Sequence, residues 1–152
     1  MDSDIQTVAL TGIEGASEQA KNADKTAFFF DTTGNCATFY SYSGKLVDCA
    51  KMQVQKALGG ITSEEIVEKY RKANVFAMKD GSSCVYNFDK IVPDLKGEYF
   101  SDTNIPSCIF KPSEMAKEDV YIKTVRDEEN KDYLGNQGNF MQHKDYRVVV
   151  VS

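Results

Sequence analysis

The residues best suited to covalent chemistry are the cysteines and the single histidine. They are Cys36, Cys49, Cys84, Cys108 and His143, with Lys144 and Asp145 directly after the histidine. A thiol becomes a nucleophile when a neighbouring base lowers its pKa, so a Cys–His–Asp arrangement would suit covalent catalysis. Cys36, Cys84 and His143 are the candidate catalytic residues. The competing interpretation is that the thiols pack as small hydrophobic groups and that His143 lies in a solvated loop.

The same cysteines argue against a metal or cofactor site. No Cys-x-x-Cys pair occurs, whereas zinc and iron–sulfur sites normally draw their ligands in such close pairs. Cys36 and Cys84 hold matching positions in two similar segments, 27–40 and 75–88. A disulfide, a redox pair or a tethered cofactor at these thiols is one interpretation, and coincidence within a repeated hairpin pattern is the favoured one. Four cysteines permit three connectivities, and spacing does not choose among them. We predict no metal and no cofactor.

Two polar stretches could bind ions, but each has a plainer interpretation. Gly59 and Gly60 precede a predicted helix start, where free backbone N–H groups attract anions. Glu64 and Glu65 in the first turn would repel a phosphate, and the glycine motifs of nucleotide-binding loops are missing from the sequence. The acidic run 127–129 lacks the alternation of an EF-hand loop. It indicates a solvated, charged loop.

Aromatic side chains are the other candidates for a site, and they would bind rather than react. The chain has 9 Phe and 8 Tyr. Three successive phenylalanines cannot all point inward from one strand, because neighbouring side chains face opposite sides. Either both sheet faces are covered, or one Phe is available to a partner. The candidate binding residues are Phe28, Phe29, Phe30, Tyr40, Tyr42, Tyr99 and Phe100.

Local patterns predict that β-hairpins position these residues. An aromatic run, a turn with Gly and Asn, and a second β-prone run predict a hairpin over 27–42. A second hairpin is predicted over 75–88, turning at Asp80-Gly81, because both residues tolerate positive φ. Four consecutive valines near the end, within 146–151, predict a strand that is buried on both faces.

Two helices are predicted between the hairpins. Apolar residues recur at helical spacing over 46–58, although a strand over 45–55 competes because alternate residues are also apolar. The signal over 62–73 is stronger, since Thr62 and Glu65 stand at the positions of a capping box.

The predicted fold is a single α+β domain, residues 1–152, in which both helices pack on one face of an antiparallel sheet built from the two hairpins plus C-terminal strands. A further strand is predicted over 119–125. Prolines punctuate 89–113, which is predicted to be irregular. The polar stretch 126–144 is predicted to be an exposed, mobile loop, and the acidic start, 1–4, is a candidate for disorder.

Charge and hydropathy exclude some classes of partner. The net charge is −5, and no cluster of Lys and Arg provides the basic face that a nucleic-acid binder needs. An anionic membrane surface is disfavoured for the same reason. No apolar run is long enough to span a bilayer, and no secretory signal is evident at the start. We expect an intracellular, cytoplasmic protein that binds neither nucleic acid nor membrane.

The favoured hypothesis is a non-catalytic protein-binding, adaptor or assembly subunit, because aromatic residues are in surplus and no catalytic set converges. It predicts an exposed apolar patch of several hundred Å² on the monomer. One alternative is a small cysteine-dependent enzyme or ligand-binding domain. The other is an acidic inhibitor or immunity-type protein that acts through 126–144. The sequence identifies neither the partner nor the oligomeric state.

Overall fold

One or more helices separate each strand from the next along the chain. The structure, a computed structural model, describes residues 6–91 and 93–152, so the expectation of disorder for 1–4 lies outside the described residues. The elements in order are α1 (Ile13–Asn22), β1 (Ala27–Phe29), α2 (Asn35–Ser43), β2 (Lys45–Asp48), α3 (Cys49–Ala57), α4 (Ser63–Asp80), β3 (Ser83–Asn87), α5 (Pro112–Met115), α6 (Glu118–Tyr121) and β4 (Arg147–Val151). Short 3₁₀ turns at Leu10–Gly12 and Ile122–Thr124 and a π turn at Leu95–Tyr99 accompany them.

The four strands form one parallel sheet in the order β1–β4–β3–β2. β4 lies between β1 and β3, with Phe28 opposite Val150 and Val85 opposite Val149. The prediction that the terminal valine run lies inside the sheet is confirmed, because β4 is paired on both sides. Strands β1 and β2 form the two edges.

The predicted antiparallel sheet of two hairpins is wrong. Within 27–42 only β1 is a strand, since the second half of that segment folds as α2, and within 75–88 the first half belongs to α4. The predicted turns do contain residues with positive φ. Gly34 (φ 80°) precedes α2, and Gly81 (φ 76°) ends α4. A glycine with positive φ ends a helix as readily as it turns a hairpin, so the local pattern fits both structures.

The predicted helices also need correction. The segment 46–58 begins with strand residues of β2, and the helix predicted over 62–73 extends to Asp80 as α4. The strand predicted over 119–125 is instead α6 followed by a 3₁₀ turn. Parallel strands need crossover connections, usually helices, and here helices pack on both faces of the sheet.

Alternate valines of β4 divide the core into two clusters. Val148 and Val150 face a large cluster that α4 covers together with the link between β3 and β4. Val149 and Val151 face a smaller cluster to which α1 and α2 contribute. Because side chains alternate between the faces of a strand, a strand buried on both faces is apolar at every position.

The link between β3 and β4 covers one face of the sheet although much of it is irregular. Its buried apolar side chains include Tyr99, Ile105, Ile109, Met115, Tyr121 and Phe140. All of them belong to the large cluster under α4. The packing of these side chains therefore holds the link against the sheet.

Thr62 caps the start of α4 as the sequence predicts, although the Glu65 carboxylate bonds the Thr62 hydroxyl and not the Thr62 backbone N–H that a capping box engages. The Thr62 hydroxyl accepts a hydrogen bond from the Glu65 backbone N–H at 3.2 Å and donates to the Glu65 carboxylate at 3.1 Å. The first turn of a helix leaves four N–H groups without an intrahelical partner. Thr62 satisfies one of them.

Replacing Thr62 by Ala is expected to lower the free energy of unfolding by about 1 kcal/mol, because that N–H loses its acceptor. Urea denaturation of the two proteins measures the difference. The matched control is Thr62→Ser, which retains the hydroxyl and is expected to remain close to the wild type. Equal stability of the Ala and Ser variants would contradict the role of this cap.

Candidate functional site

The predicted aromatic residues are divided between the surface and the core. Phe28, Phe30 and Tyr42 are 45%, 77% and 88% exposed, Tyr40 and Tyr99 are buried, and Phe29 and Phe100 are partly buried. The rings of Phe28 and Phe30 lie together, with centroids 4.8 Å apart. Phe28 also meets the ring of Phe88 edge-on at 6.4 Å. The structure thus brings two of the candidates into one exposed pair.

Within residues 6–91 and 93–152, no strand pairs with the side of β1 that faces away from β4. The Phe29 C=O accepts from the Ser152 N–H at 2.9 Å, and the Asp31 N–H donates to the Ser152 C=O at 2.8 Å. Main-chain groups alternate in direction along a strand. Those of Phe28 and Phe30 therefore point away from β4, where the described part of the chain places no further strand. Such an edge can accept an added strand.

A partly open groove of about 1010 Å³ lies beside β1. Its lining residues come from within 6–20, 25–31 and 33–36, and we call it the β1 edge groove. Val8 and Leu10 add exposed apolar side chains to those of Phe28 and Phe30. The groove is therefore a concave surface of mixed polar and apolar lining, with its exposed phenylalanine rings next to the outward-facing main-chain groups of β1.

The charged residues among the described lining of the β1 edge groove are Lys25 and Asp31. They flank β1 in the sequence, one on each side of an uncharged run of five residues, 26–30. Charges in these positions are typical of sequences that restrain aggregation of an apolar strand.

The opposite edge of the sheet is protected differently. Lys45, the first residue of β2, places its Nζ 5.3 Å from the centroid of the Phe76 ring. This is a cation–π contact, and a lysine on an edge strand hinders the addition of another strand. β1 carries no charge within the strand itself. It is therefore the edge better suited to accept a partner.

Asp31 holds the loop that leaves the carboxyl end of β1. Its carboxylate accepts hydrogen bonds from the backbone N–H of Cys36 at 2.8 Å, from the Thr33 hydroxyl at 2.6 Å and from the backbone N–H of Thr33 at 2.9 Å. These bonds lower the pKa of Asp31 to about 2. Open parallel sheets often bind ligands at the carboxyl ends of their strands, and helix N-termini attract anions. Here an incoming phosphate would meet the carboxylate that already occupies the start of α2.

Replacing Asp31 by Asn is expected to destabilise the protein by about 1 kcal/mol at neutral pH, because the start of α2 loses a charged acceptor. The pKa of Asp31 in the folded protein lies below the value of about 3.9 for an unfolded chain. The stabilisation is therefore fully present above pH 4 and is lost as the pH falls towards 2. Urea denaturation from pH 7 to pH 2 measures the difference between the two proteins. A difference that stays constant down to pH 2 would contradict this account.

The candidate catalytic residues do not converge. Cys36 faces the smaller core cluster and Cys84 the larger one, so the sheet separates the two thiols, and all four cysteines are free. His143 Nδ1 accepts a hydrogen bond from the Asp145 backbone N–H at 3.0 Å. Its own backbone N–H donates to the Met78 C=O at 2.7 Å. These contacts place His143 in a turn of the link between β3 and β4, and this turn packs against the end of α4.

Burial makes the thiols weaker acids than usual. It raises the pKa of Cys49 and of Cys84 to about 12. Burial also raises the pKa of Cys36, to which the charge of Asp31 adds, and that of Cys108. A reactive cysteine needs the opposite shift, because the thiolate is the nucleophile. These environments favour a packing role for the thiols.

Comparison of the chain with family models, with curated proteins and with solved structures found no match. Within residues 6–91 and 93–152, no group of three or more His, Cys, Asp or Glu could hold a metal ion. Over the same residues, no helix is both long and apolar enough to cross a membrane. Among the described residues, the β1 edge groove is the feature best suited to bind a partner.

Sequence reasoning selected Phe28 and Phe30 but missed the reason for their exposure. The predicted hairpin pairs residues 27–30 with the strand that follows the turn. In the structure those following residues form α2, and no other described strand pairs with the outer side of β1. The charges of Lys25 and Asp31 around a short apolar run are the signal that could have indicated an edge strand.

Proposed function

We propose that this protein is a non-catalytic protein-binding subunit that accepts an extended segment along the free edge of β1. One observation carries the proposal. Phe28 and Phe30 have outward-facing main-chain groups, and their side chains form the exposed pair in the β1 edge groove. In strand addition, main-chain hydrogen bonds provide affinity and side-chain contacts provide specificity.

The surroundings of the groove support binding over catalysis. Acid–base catalysis needs a group whose pKa lies near the working pH. Asp31 has a pKa of about 2 because it accepts the hydrogen bonds at the start of α2. Cys36, the thiol that lines the groove, has a pKa raised by burial. An added strand needs neither group to react.

Selection of phage-displayed random dodecapeptides on the immobilised protein tests the proposal. Enriched peptides are expected to alternate apolar and polar residues, and labelled synthetic versions are expected to bind in solution. Phe28→Pro removes an outward-facing N–H without removing a bond to β4. This variant loses one main-chain hydrogen bond, worth about 1 kcal/mol, and the added strand packs less well against it. Together these losses are expected to weaken peptide binding about tenfold. Phe30→Asp is expected to weaken it similarly, since it removes an exposed ring of the groove.

Tyr133→Asp is the matched control for Phe30→Asp. Tyr133 is 87% exposed and is not part of the groove lining. Circular dichroism and thermal unfolding confirm that each variant is folded. The proposal fails if no peptide is enriched, or if enriched peptides bind the Phe28→Pro and Phe30→Asp proteins as tightly as the wild type.

A further inference from the structure

We infer that the strand accepted by β1 is β1 of a second copy of this chain, in antiparallel orientation, with Phe28 opposite Phe28 of the second copy. The inference rests on the proposed function, because it requires the free edge of β1 to accept a strand. It goes further in identifying the partner as the chain itself and in specifying the register of the pair.

The main-chain geometry of β1 permits this pairing. Because Phe29 and Asp31 bond to Ser152, the alternating residues Thr26, Phe28 and Phe30 direct their N–H and C=O groups to the open side. In an antiparallel pair, two opposed residues of this kind exchange a pair of hydrogen bonds. If the twofold axis of the pair passes between the two Phe28 residues, Thr26 lies opposite Phe30 of the second copy. Each outward-facing residue then meets another outward-facing residue.

Charge selects this register among its neighbours. With the twofold axis at Phe28, Lys25 lies opposite Asp31 of the second copy, and the twofold symmetry repeats the pair. Within the described residues, Lys25 takes part in no ion pair of its own chain. With the twofold axis at Ala27, Lys25 would lie opposite Phe29 of the second copy, and with the axis at Phe29 it would lie opposite Thr33. Either register would lose both ion pairs.

The aromatic pair fits the same twofold arrangement. Phe28 would face its own counterpart across the interface, with Phe30 as a diagonal neighbour on the same face of the sheet. A twofold interface uses the same patch on both copies. The two four-stranded sheets would continue as one sheet of eight strands, with β2 at each outer edge.

Sedimentation equilibrium of the full chain tests the inference. We expect a monomer–dimer equilibrium that weakens on the order of tenfold in Lys25→Glu, because two ion pairs become two repulsive pairs. Added salt is expected to raise the dissociation constant of the wild-type dimer and to bring it closer to that of the Lys25→Glu protein. Lys69→Glu is the matched control, since Lys69 is exposed on α4 and undergoes the same change of charge.

A cysteine crosslink tests the register independently. Opposed residues that exchange hydrogen bonds have Cα atoms about 5.5 Å apart, within the range of a disulfide. The Phe28→Cys protein is therefore expected to form a covalent dimer under mild oxidation. Phe29→Cys is the control, because Phe29 packs against the smaller core cluster and would not face itself across the axis. It is expected to remain monomeric under denaturing conditions.

The outcomes separate the two proposals. A chain that stays monomeric while its selected peptides still bind in a Phe28-dependent manner overturns the inference and leaves the proposed function intact. A dimer that is insensitive to Lys25→Glu and that Phe28→Cys does not crosslink also overturns the inference, because its interface lies elsewhere. If the wild-type chain neither self-associates nor binds any selected peptide, both proposals are overturned.

Discussion

Replacing Arg71 by Met is expected to lower the free energy of unfolding by about 3 kcal/mol, near the lower end of the range for breaking a buried ion pair. The side chain of Arg71 is only 1% exposed. Its guanidinium donates to the carboxylates of Glu68 and Glu129 and, at 2.8 Å, to the Thr124 C=O. Met fills similar volume but leaves these acceptors without their donor. Both carboxylates are partly exposed, which reduces the loss.

The expected loss reflects the position of Arg71 as well as its charge. Its contacts join α4 to the turn that follows α6. Chemical denaturation of the purified variant measures the loss. Lys72→Met is the matched control, since Lys72 is the exposed neighbour on the same helix and is expected to change stability by about 0.5 kcal/mol or less. Similar losses in the two variants would contradict the importance of the buried pair.

A double-mutant cycle with Glu129→Gln isolates the interaction itself. Residues in contact typically show coupling energies of about 0.5–3 kcal/mol. Arg71 and Glu129 are expected to fall in this range, because the guanidinium contacts the carboxylate directly. Additive effects would show that the loss in Arg71→Met comes from packing rather than from the ion pair.

Replacing Asn74 by Leu is expected to cost about 3 kcal/mol. Asn74 is 2% exposed on α4, and its side-chain amide donates to the Tyr86 hydroxyl and accepts from the Tyr146 hydroxyl at 2.9 Å. Both tyrosines are buried, and burial raises the pKa of each well above its usual value, so the phenols stay neutral. Leu would leave two buried hydroxyl groups without this partner, at about 1–3 kcal/mol each.

Removing the hydroxyl groups as well distinguishes lost hydrogen bonds from poor packing. The variant that combines Asn74→Leu with Tyr86→Phe and Tyr146→Phe is expected to recover part of the lost stability, because no buried hydroxyl is then left unpaired. Urea denaturation compares it with Asn74→Leu alone. If the triple variant is the less stable of the two, the loss arises from the shape of Leu and not from the polar network.

The sequence was most informative where a structure depends on residues close together in the chain. The cap of α4 by Thr62 was predicted from a residue three positions away, and the hydroxyl makes that bond. Gly81 was correctly expected at a position that tolerates positive φ. The valine run was correctly expected to lie inside the sheet. Each signal concerns one turn, one cap or one strand.

The same signals did not determine how the elements combine. The Gly81 pattern suits a hairpin and a helix end equally well, and the antiparallel arrangement built on it was wrong. The valine run itself was compatible with a parallel sheet, whose strands are buried on both faces. That interpretation would have required helices on both faces, whereas the predicted hairpins assigned the residues of α2 and of the end of α4 to strands.

The sequence by itself determined the strand character of the segments that form β1, β3 and β4, the cap of α4 and the turn glycine Gly81, because neighbouring residues decide these features. It also identified Phe28 and Phe30 as candidates. Only the tertiary structure decided that β1 lies at an edge and that α2 replaces its expected partner strand. The physical reason is that strand order and direction arise from contacts between distant residues, such as Phe28 with Val150. No local pattern records which of several apolar strands another strand will join.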